Sequence, residues 1–243
     1  METRKIIIIG ATSGMGYRIA RLYQQKGWRV GIAGRRTDKL QELAALAPEQ
    51  TFWQQIDITQ ADAEDGLFAL AQQTDGMDVF LLCSGIGSLN LTLKPEIELN
   101  TVATNGEGFT RMVTAAYRYF AQHGGGQLAV ISSIAGVKGL GTAPAYSATK
   151  RFQNTYIDAL EQLACMEKLP IRFTDIRPGF VQTALLKDDK YPLTMDPDYA
   201  AQKIVKAIER KKRRAIIDWR YAILVFFWKL IPACIWKRLP IHI

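Results

Sequence analysis

Short apolar runs recur along this chain, and between them lie stretches whose apolar residues return every three or four positions. KIIIIG near the N-terminus is followed by WRVGIAG, TFWQQIDI, MDVFLLCSG, GQLAVISS, PIRFTDIRPG and RRAIIDW. Each is rich in aliphatic and β-branched side chains and bounded by polar or turn-forming residues, as expected of strands buried on both faces. The intervening segments, about 14–25, 38–46, 60–73, 99–122, 145–168 and 197–212, carry helical periodicity. Pro48, Gly76, the glycines at 124–126 and Pro170 punctuate them. Strands alternating with helices build βαβ units. The pattern therefore predicts one α/β domain, a doubly wound seven-stranded parallel sheet with helices on both faces. No internal repeat, low-complexity stretch or linker interrupts it.

Composition narrows the chemistry. The 243 residues are 48% hydrophobic and 22% charged, ordinary for a globular protein with a sizeable core. Cys83, Cys165 and Cys234 are too widely spaced for a disulfide framework or a CxxC metal pair, which fits a reducing cytoplasm. Four isoleucines before a glycine turn are too few for a secretory leader. With His123 and His242 as the only histidines, a Ser-His pair or a histidine-rich metal site is not expected. Chemistry then falls to tyrosine, lysine, serine, carboxylates or a cofactor. The net charge of +8 is uneven: residues 210–243 hold nine Lys/Arg and one acid, leaving 22 of each sign before them. A broad nucleic-acid-binding face is not predicted; the basicity is local to the tail.

Two turns suggest a nucleotide. The first strand runs into Gly10-Ala11-Thr12-Ser13-Gly14-Met15-Gly16 and then a helix. Glycines there let the backbone bend and approach a pyrophosphate on the helix N-terminus. The spacing is GxxxGxG, and a plain turn is the alternative. The second strand ends Ala33-Gly34-Arg35-Arg36. An acid at this point would bind the ribose hydroxyls of NAD, whereas two arginines suit a 2′-phosphate and predict NADP(H). In AYSATK, Tyr146 and Lys150 stand at i and i+4, neighbours on one helical face. An ammonium beside a phenol favours the phenolate and makes the tyrosine a usable acid near neutral pH.

Five features in order make the chain resemble the short-chain dehydrogenase/reductase family along nearly its whole length. They are GATSGMG at 10–16, Asp57 after the third strand, Asn105 in the long central helix, Ser133 with Tyr146 and Lys150, and Pro178-Gly179 before Thr183. The resemblance implies a Rossmann-type fold and an NADP(H)-dependent oxidoreductase interconverting a ketone and a secondary alcohol, working as a homodimer or homotetramer. By it, Tyr146 exchanges the proton, Lys150 lowers its pKa and binds the nicotinamide ribose, and Ser133 polarises the carbonyl, with Ser132 as the alternative. Asn105 supports the lysine and a proton-carrying water. The cofactor set it implies is Gly10, Thr12, Ser13, Gly14, Met15, Gly16, Arg35, Arg36, Asp57, Ile58, Ser84, Gly85, Tyr146, Lys150, Pro178, Gly179, Val181 and Thr183. Asp57 would meet the adenine, or simply cap a helix; Thr183 would meet the carboxamide, with 176–179 turning beneath the nicotinamide. One departure stands out. Where the family has Asn-Asn-Ala-Gly, this chain has Leu82-Cys83-Ser84-Gly85, which predicts altered cofactor contacts. The segment 185–198 falls where the family carries its substrate loop.

Beyond residue 218 the chain reads as a separate apolar and basic tail, 219–243. Its apolar run of 16 residues (221–236) is too short for a membrane span and contains Lys229 and Pro232. Three tryptophans, two phenylalanines and flanking cations predict either a segment lying on the inner face of an anionic membrane, with a hydrophobic substrate, or a cover for the cleft or a subunit interface. A non-catalytic NADP(H)-binding regulatory or scaffold protein is the competing function, motivated by the altered LCSG turn.

Overall fold

Side chains alternate across a strand, so four consecutive isoleucines demand apolar cover on both faces of their sheet. They receive it. Ile6 and Ile8 lie in one core and Ile7 and Ile9 in the other, all fully buried. Each such burial contributes about 1.5–3 kcal/mol. The computed structural model describes residues 3–183, 191 and 193–240. The strands are β1 (Lys5–Ile9), β2 (Arg29–Gly34), β3 (Thr51–Gln55), β4 (Val79–Leu82), β5 (Gly126–Ile131), β6 (Ile171–Pro178) and β7 (Arg214–Ile217). The helices are α1 (Gly14–Gln25), α2 (Thr37–Ala44), α3 (Ala63–Gln73), α4 (Pro95–Val102), α5 (Phe109–Gln122), α6 (Pro144–Met166), α7 (Pro197–Glu209), α8 (Trp219–Leu230) and α9 (Ala233–Trp236).

The seven strands form one parallel sheet in the order β3-β2-β1-β4-β5-β6-β7. Helices α1, α2, α7 and α8 cover one face, and α3, α5 and α6 the other. Strand order reverses between β1 and β4, so the loops leaving their C-terminal ends diverge and open a crevice. Every candidate motif lies along the C-terminal edge of this sheet.

Two elements differ from the sequence expectation. The helix expected over 99–122 starts earlier, with Pro95 in its first turn, and is interrupted by a π-helical turn at Ala103–Gly108. The tail is helical as well. Asp218 caps α8 by accepting from the Arg220 N–H, and Tyr221 and Val225, four apart, sink into the first core. Pro232 then interrupts the chain before the short α9.

Candidate active site

The helix bearing the Tyr-Lys pair is anchored from elsewhere. Pro144 suits the first turn of α6, but Ala143 before it has no side chain to cap with. Glu98 of α4 supplies the cap: its Oε2 accepts from the Ala145 N–H at 2.9 Å, and its Oε1 accepts from Asn90 at 2.8 Å. A carboxylate there also favours the positive end of the helix dipole. Tyr146 then lies under Gly87, where even a Cβ would come within 2.7 Å of the phenol ring.

Ser133 follows β5; its oxygen accepts from the Ala135 N–H at 3.1 Å, and its hydroxyl stands close enough to the Tyr146 phenol to favour the ionised form. Ser132, its neighbour on extended backbone, points the other way and bonds the Asp175 carboxylate and Ile176 O. Ser133 is therefore the serine that faces the tyrosine. Asp175 is fully buried and also accepts from Arg177 Nε at 2.7 Å, so the two charges under the site are paired.

Lys150 is 4% exposed and donates to Ile131 O and Gln153 Oε1, both at 3.1 Å. Burial pulls its ammonium down to about 8, with the Asp175 carboxylate opposing. Its Nζ stands 5.8 Å from the centre of the Tyr146 ring. Burial pushes the tyrosine above its usual range, and the nearby Ser133 hydroxyl offsets part of that rise. The i, i+4 spacing thus brings the pair together, but the side chain that lowers the phenol is the serine.

Asn105 sits in the π-helical turn and is fully buried. Its Oδ1 accepts from Ile86 N at 2.9 Å and its Nδ2 donates to Ile86 O at 2.7 Å, so it holds the loop after β4 as a neighbouring strand would. Its backbone carbonyl accepts from Gln153 Nε2 at 2.9 Å. Asn105 and Lys150 are thereby joined through one protein amide, the Gln153 side chain.

On the nucleotide side, Gly10 has a positive φ of 92° and approaches β4 so closely that a Cβ would lie 2.6 Å from Ser84 N. Cys83 N and Ser84 N both donate to Ile9 O, so the LCSG turn keeps its place by backbone bonds despite lacking both asparagines. Burial holds the Cys83 thiol above its usual range, as in an inert small hydrophobe. Gly85 passes between Asn105 and Lys150. The first turn of α1 contains no acid, and Ser13 makes no side-chain cap. Thr183 stands about 3.7 Å from where a Gly14 Cβ would be. Arg36 donates to Thr12 Oγ1 at 2.9 Å, and Arg35 is exposed at the end of β2. A glycine-lined helix N-terminus without an acid, flanked by arginines, fits the pyrophosphate of a dinucleotide.

Other expected positions have structural duties. Asp57 Oδ1 accepts from the Thr59 N–H and hydroxyl; burial pushes that carboxyl up, but these bonds and Arg35 outweigh it and hold it low. The Ile58 side chain is buried in the second core and its carbonyl accepts from Arg111 at 2.7 Å. Val181 is buried in the first core, Met15 packs against it, Gly16 abuts Gly10 O, and Pro178 ends β6. Residues 184–190 and 192 of the expected substrate loop, and His242, lie outside the described residues. Gly87, Glu98, Gln153, Asp175 and Arg177 escaped the sequence reading. Only Gln153, three residues after Lys150 on the same helix face, carried a signal.

The short chain dehydrogenase family model matches residues 4–192. An uncharacterized oxidoreductase of Myxococcus xanthus is 30% identical over 240 residues, covering 96% of this chain and 94% of that protein. Another, of Mycobacterium tuberculosis H37Rv, is 31% identical over 246 residues, covering 97% and 96%. Among solved structures, a short-chain dehydrogenase from Streptomyces avermitilis superposes with a TM-score of 0.81 at 22% identity, covering 94% of this chain and 93% of that one. An alcohol dehydrogenase from Thermococcus sibiricus, complexed with 5-hydroxy-NADP, gives 0.77 at 21% identity, covering 89% and 96%. With the parallel sheet, the glycine-lined turn and the Ser133–Tyr146–Lys150 cluster, these likenesses place the chain as an oxidoreductase that belongs to the short-chain dehydrogenase family.

Proposed function

We propose that this protein is an NADP(H)-dependent oxidoreductase that interconverts a hydrophobic ketone and its secondary alcohol, as a homodimer or homotetramer in the cytoplasm at the inner face of the membrane. The observation that carries this reading is the meeting of Ser133, Tyr146 and Lys150 at the end of β5, with the buried Lys150 ammonium 5.8 Å from the centre of the Tyr146 ring. The bound cofactor supplies or accepts a hydride. Tyr146 gives its phenolic proton to the carbonyl oxygen in reduction and takes it back in oxidation. Ser133 donates to that same oxygen, where negative charge builds. Lys150 holds positive charge next to the phenol below a pH of about 8, which favours release of the proton. Asn105 fixes the loop that covers the tyrosine, and Gln153 fixes the lysine. For the cofactor, Arg35 and Arg36 at the end of β2 support NADP(H) over NAD(H), in keeping with the NADP analogue on the Thermococcus sibiricus relative by fold.

Fluorescence titration with NADPH and NADH tests the cofactor. Tighter NADPH binding that weakens by about 10–100-fold in Arg35→Asp is expected, the worth of one charge-assisted hydrogen bond. Equal affinities would assign the site to either nucleotide and remove the role of the arginine. Turnover is tested by NADPH oxidation with a panel of hydrophobic ketones, which Tyr146→Phe should abolish while NADPH affinity stays within a few-fold. The LCSG turn favours one other reading, a cofactor-binding protein without catalysis. NADPH binding with no turnover on any ketone would select it.

A further inference from the structure

Helix α8 carries large apolar side chains on both its inner and outer faces, with only Arg220 and Lys229 charged, and such a helix belongs where both faces are covered. Its inner face is covered: Tyr221 and Val225 are buried and Trp228 packs beside them. The outer face is open. Trp219, Ile223, Phe226, Phe227 and Leu230 fall at i, i+4, i+7, i+8 and i+11, a single stripe, with exposures of 67, 49, 61, 60 and 63%. Lys229, Lys237 and Arg238 are exposed along the same segment. Asp218 is the one acid between 215 and 240, and Arg220 neutralises it at 3.0 Å.

We propose that this stripe docks flat on an anionic lipid bilayer, with the aromatic side chains in the interface and Lys229, Lys237 and Arg238 on the lipid phosphates. Charge selects this occupant, since pairing the same face with a second copy would bring unneutralised cations together. Length excludes a span: twelve residues of helix reach about 18 Å, against roughly 30 Å of hydrocarbon. Among the described residues, no helix is long and apolar enough to cross a membrane.

The inner face of α8 ties the docked surface to the active site. Tyr221 OH accepts from Phe180 N and donates to Leu193 O. Trp236 Nε1 donates to Gly139 O, and Lys138 Nζ to Ile231 O, both at 2.8 Å. The segment 134–141 leads from Ser133 toward α6, so the lipid-facing helix straps the rim of the Ser133–Tyr146 cleft. A membrane-dissolved apolar carbonyl would reach the site from that rim. This last step rests on the carbonyl-reductase reading; the docking itself does not.

The test is flotation of the full-length protein with phosphatidylcholine vesicles, with or without phosphatidylglycerol. The expected result is binding to the anionic vesicles, weakened by about fivefold for each of Lys229, Lys237 and Arg238 changed to Gln. The double variant F226S/F227S should lose at least about tenfold; both side chains are exposed, so circular dichroism should be unchanged. Absence of flotation, or equal flotation of F226S/F227S, overturns the proposal. So does a self-associated species that F226S/F227S dissociates with no vesicle binding, which would make the face an interface between copies. NADPH titration of the same preparations reads the nucleotide site separately, so failure of docking and failure of the oxidoreductase reading are distinguishable. Point variants are required because a chain ending before Tyr221 would lose a buried core residue.

Discussion

Burying an ammonium removes its hydration, and Lys150 receives in exchange hydrogen bonds to Ile131 O and Gln153 Oε1. The exchange is incomplete, since burial pulls the group down to about 8 from an unfolded value near 10.5. A lysine whose folded pKa is depressed contributes full stability above the unfolded pKa and loses it as pH falls through the folded one. At pH 7 the cost is roughly 3 kcal/mol. Lys150→Met should therefore unfold at higher denaturant concentration than the wild-type chain at pH 7, by up to about 2 kcal/mol once the lost hydrogen bonds are deducted. That gain should shrink as pH rises from 8 to 10.5, and urea melts across this range check it. A variant less stable at pH 7 would mean that the two hydrogen bonds outweigh the desolvation.

The π-helical turn and α8 show how elements set the site. The turn carries Asn105, whose side chain holds Ile86 and whose carbonyl takes Gln153. A helix read from periodicity alone predicts neither bond, because both depend on contacts with residues 86 and 153. At the other end, β6 passes into Gly179, which lies flat against Tyr221 of α8: a Cβ there would fall 2.2 Å from the ring. Gly179→Ala should push α8 away and cost at least about 2 kcal/mol in urea unfolding. Vesicle binding should survive, since the outer stripe is untouched. An alanine tolerated without loss would show that α8 is only loosely seated.

At the scale of the whole molecule, sequence composition separates a neutral stretch of 209 residues from a basic C-terminal segment beginning at Arg210, whose last part, 219–243, reads as an apolar tail. The structure gives that division another meaning. Tyr221 and Val225 share a core with β1, β2, α1 and α7, so the inner half of α8 is packed as the rest of the core is packed. Elements that share one core unfold together. We expect a single urea transition in which tryptophan fluorescence, from Trp219, Trp228 and Trp236 in the tail and Trp28 and Trp53 in the body, coincides with loss of helical ellipticity. A separate early fluorescence step would mark the tail as an independent unit.

Much of this protein was legible in its residues taken in order. The seven strands, the positions of most helices, the GATSGMG turn and the Tyr146–Lys150 spacing are local signals, written in periodicity, turn chemistry and spacing within one or two elements, while Ser133 entered through the family resemblance. Glu98 capping α6, Gly87 roofing Tyr146 and Gln153 linking Lys150 to Asn105 are contacts that reach between elements distant in the chain. So are Asp175 with Ser132 and Tyr221 against Gly179. Hydrophobic pattern fixes which face of an element is buried, but not which residue of another element meets it. Those meetings are set by the crossover at β1 and β4 and by the packing of helices across the sheet, and only the tertiary structure decides them.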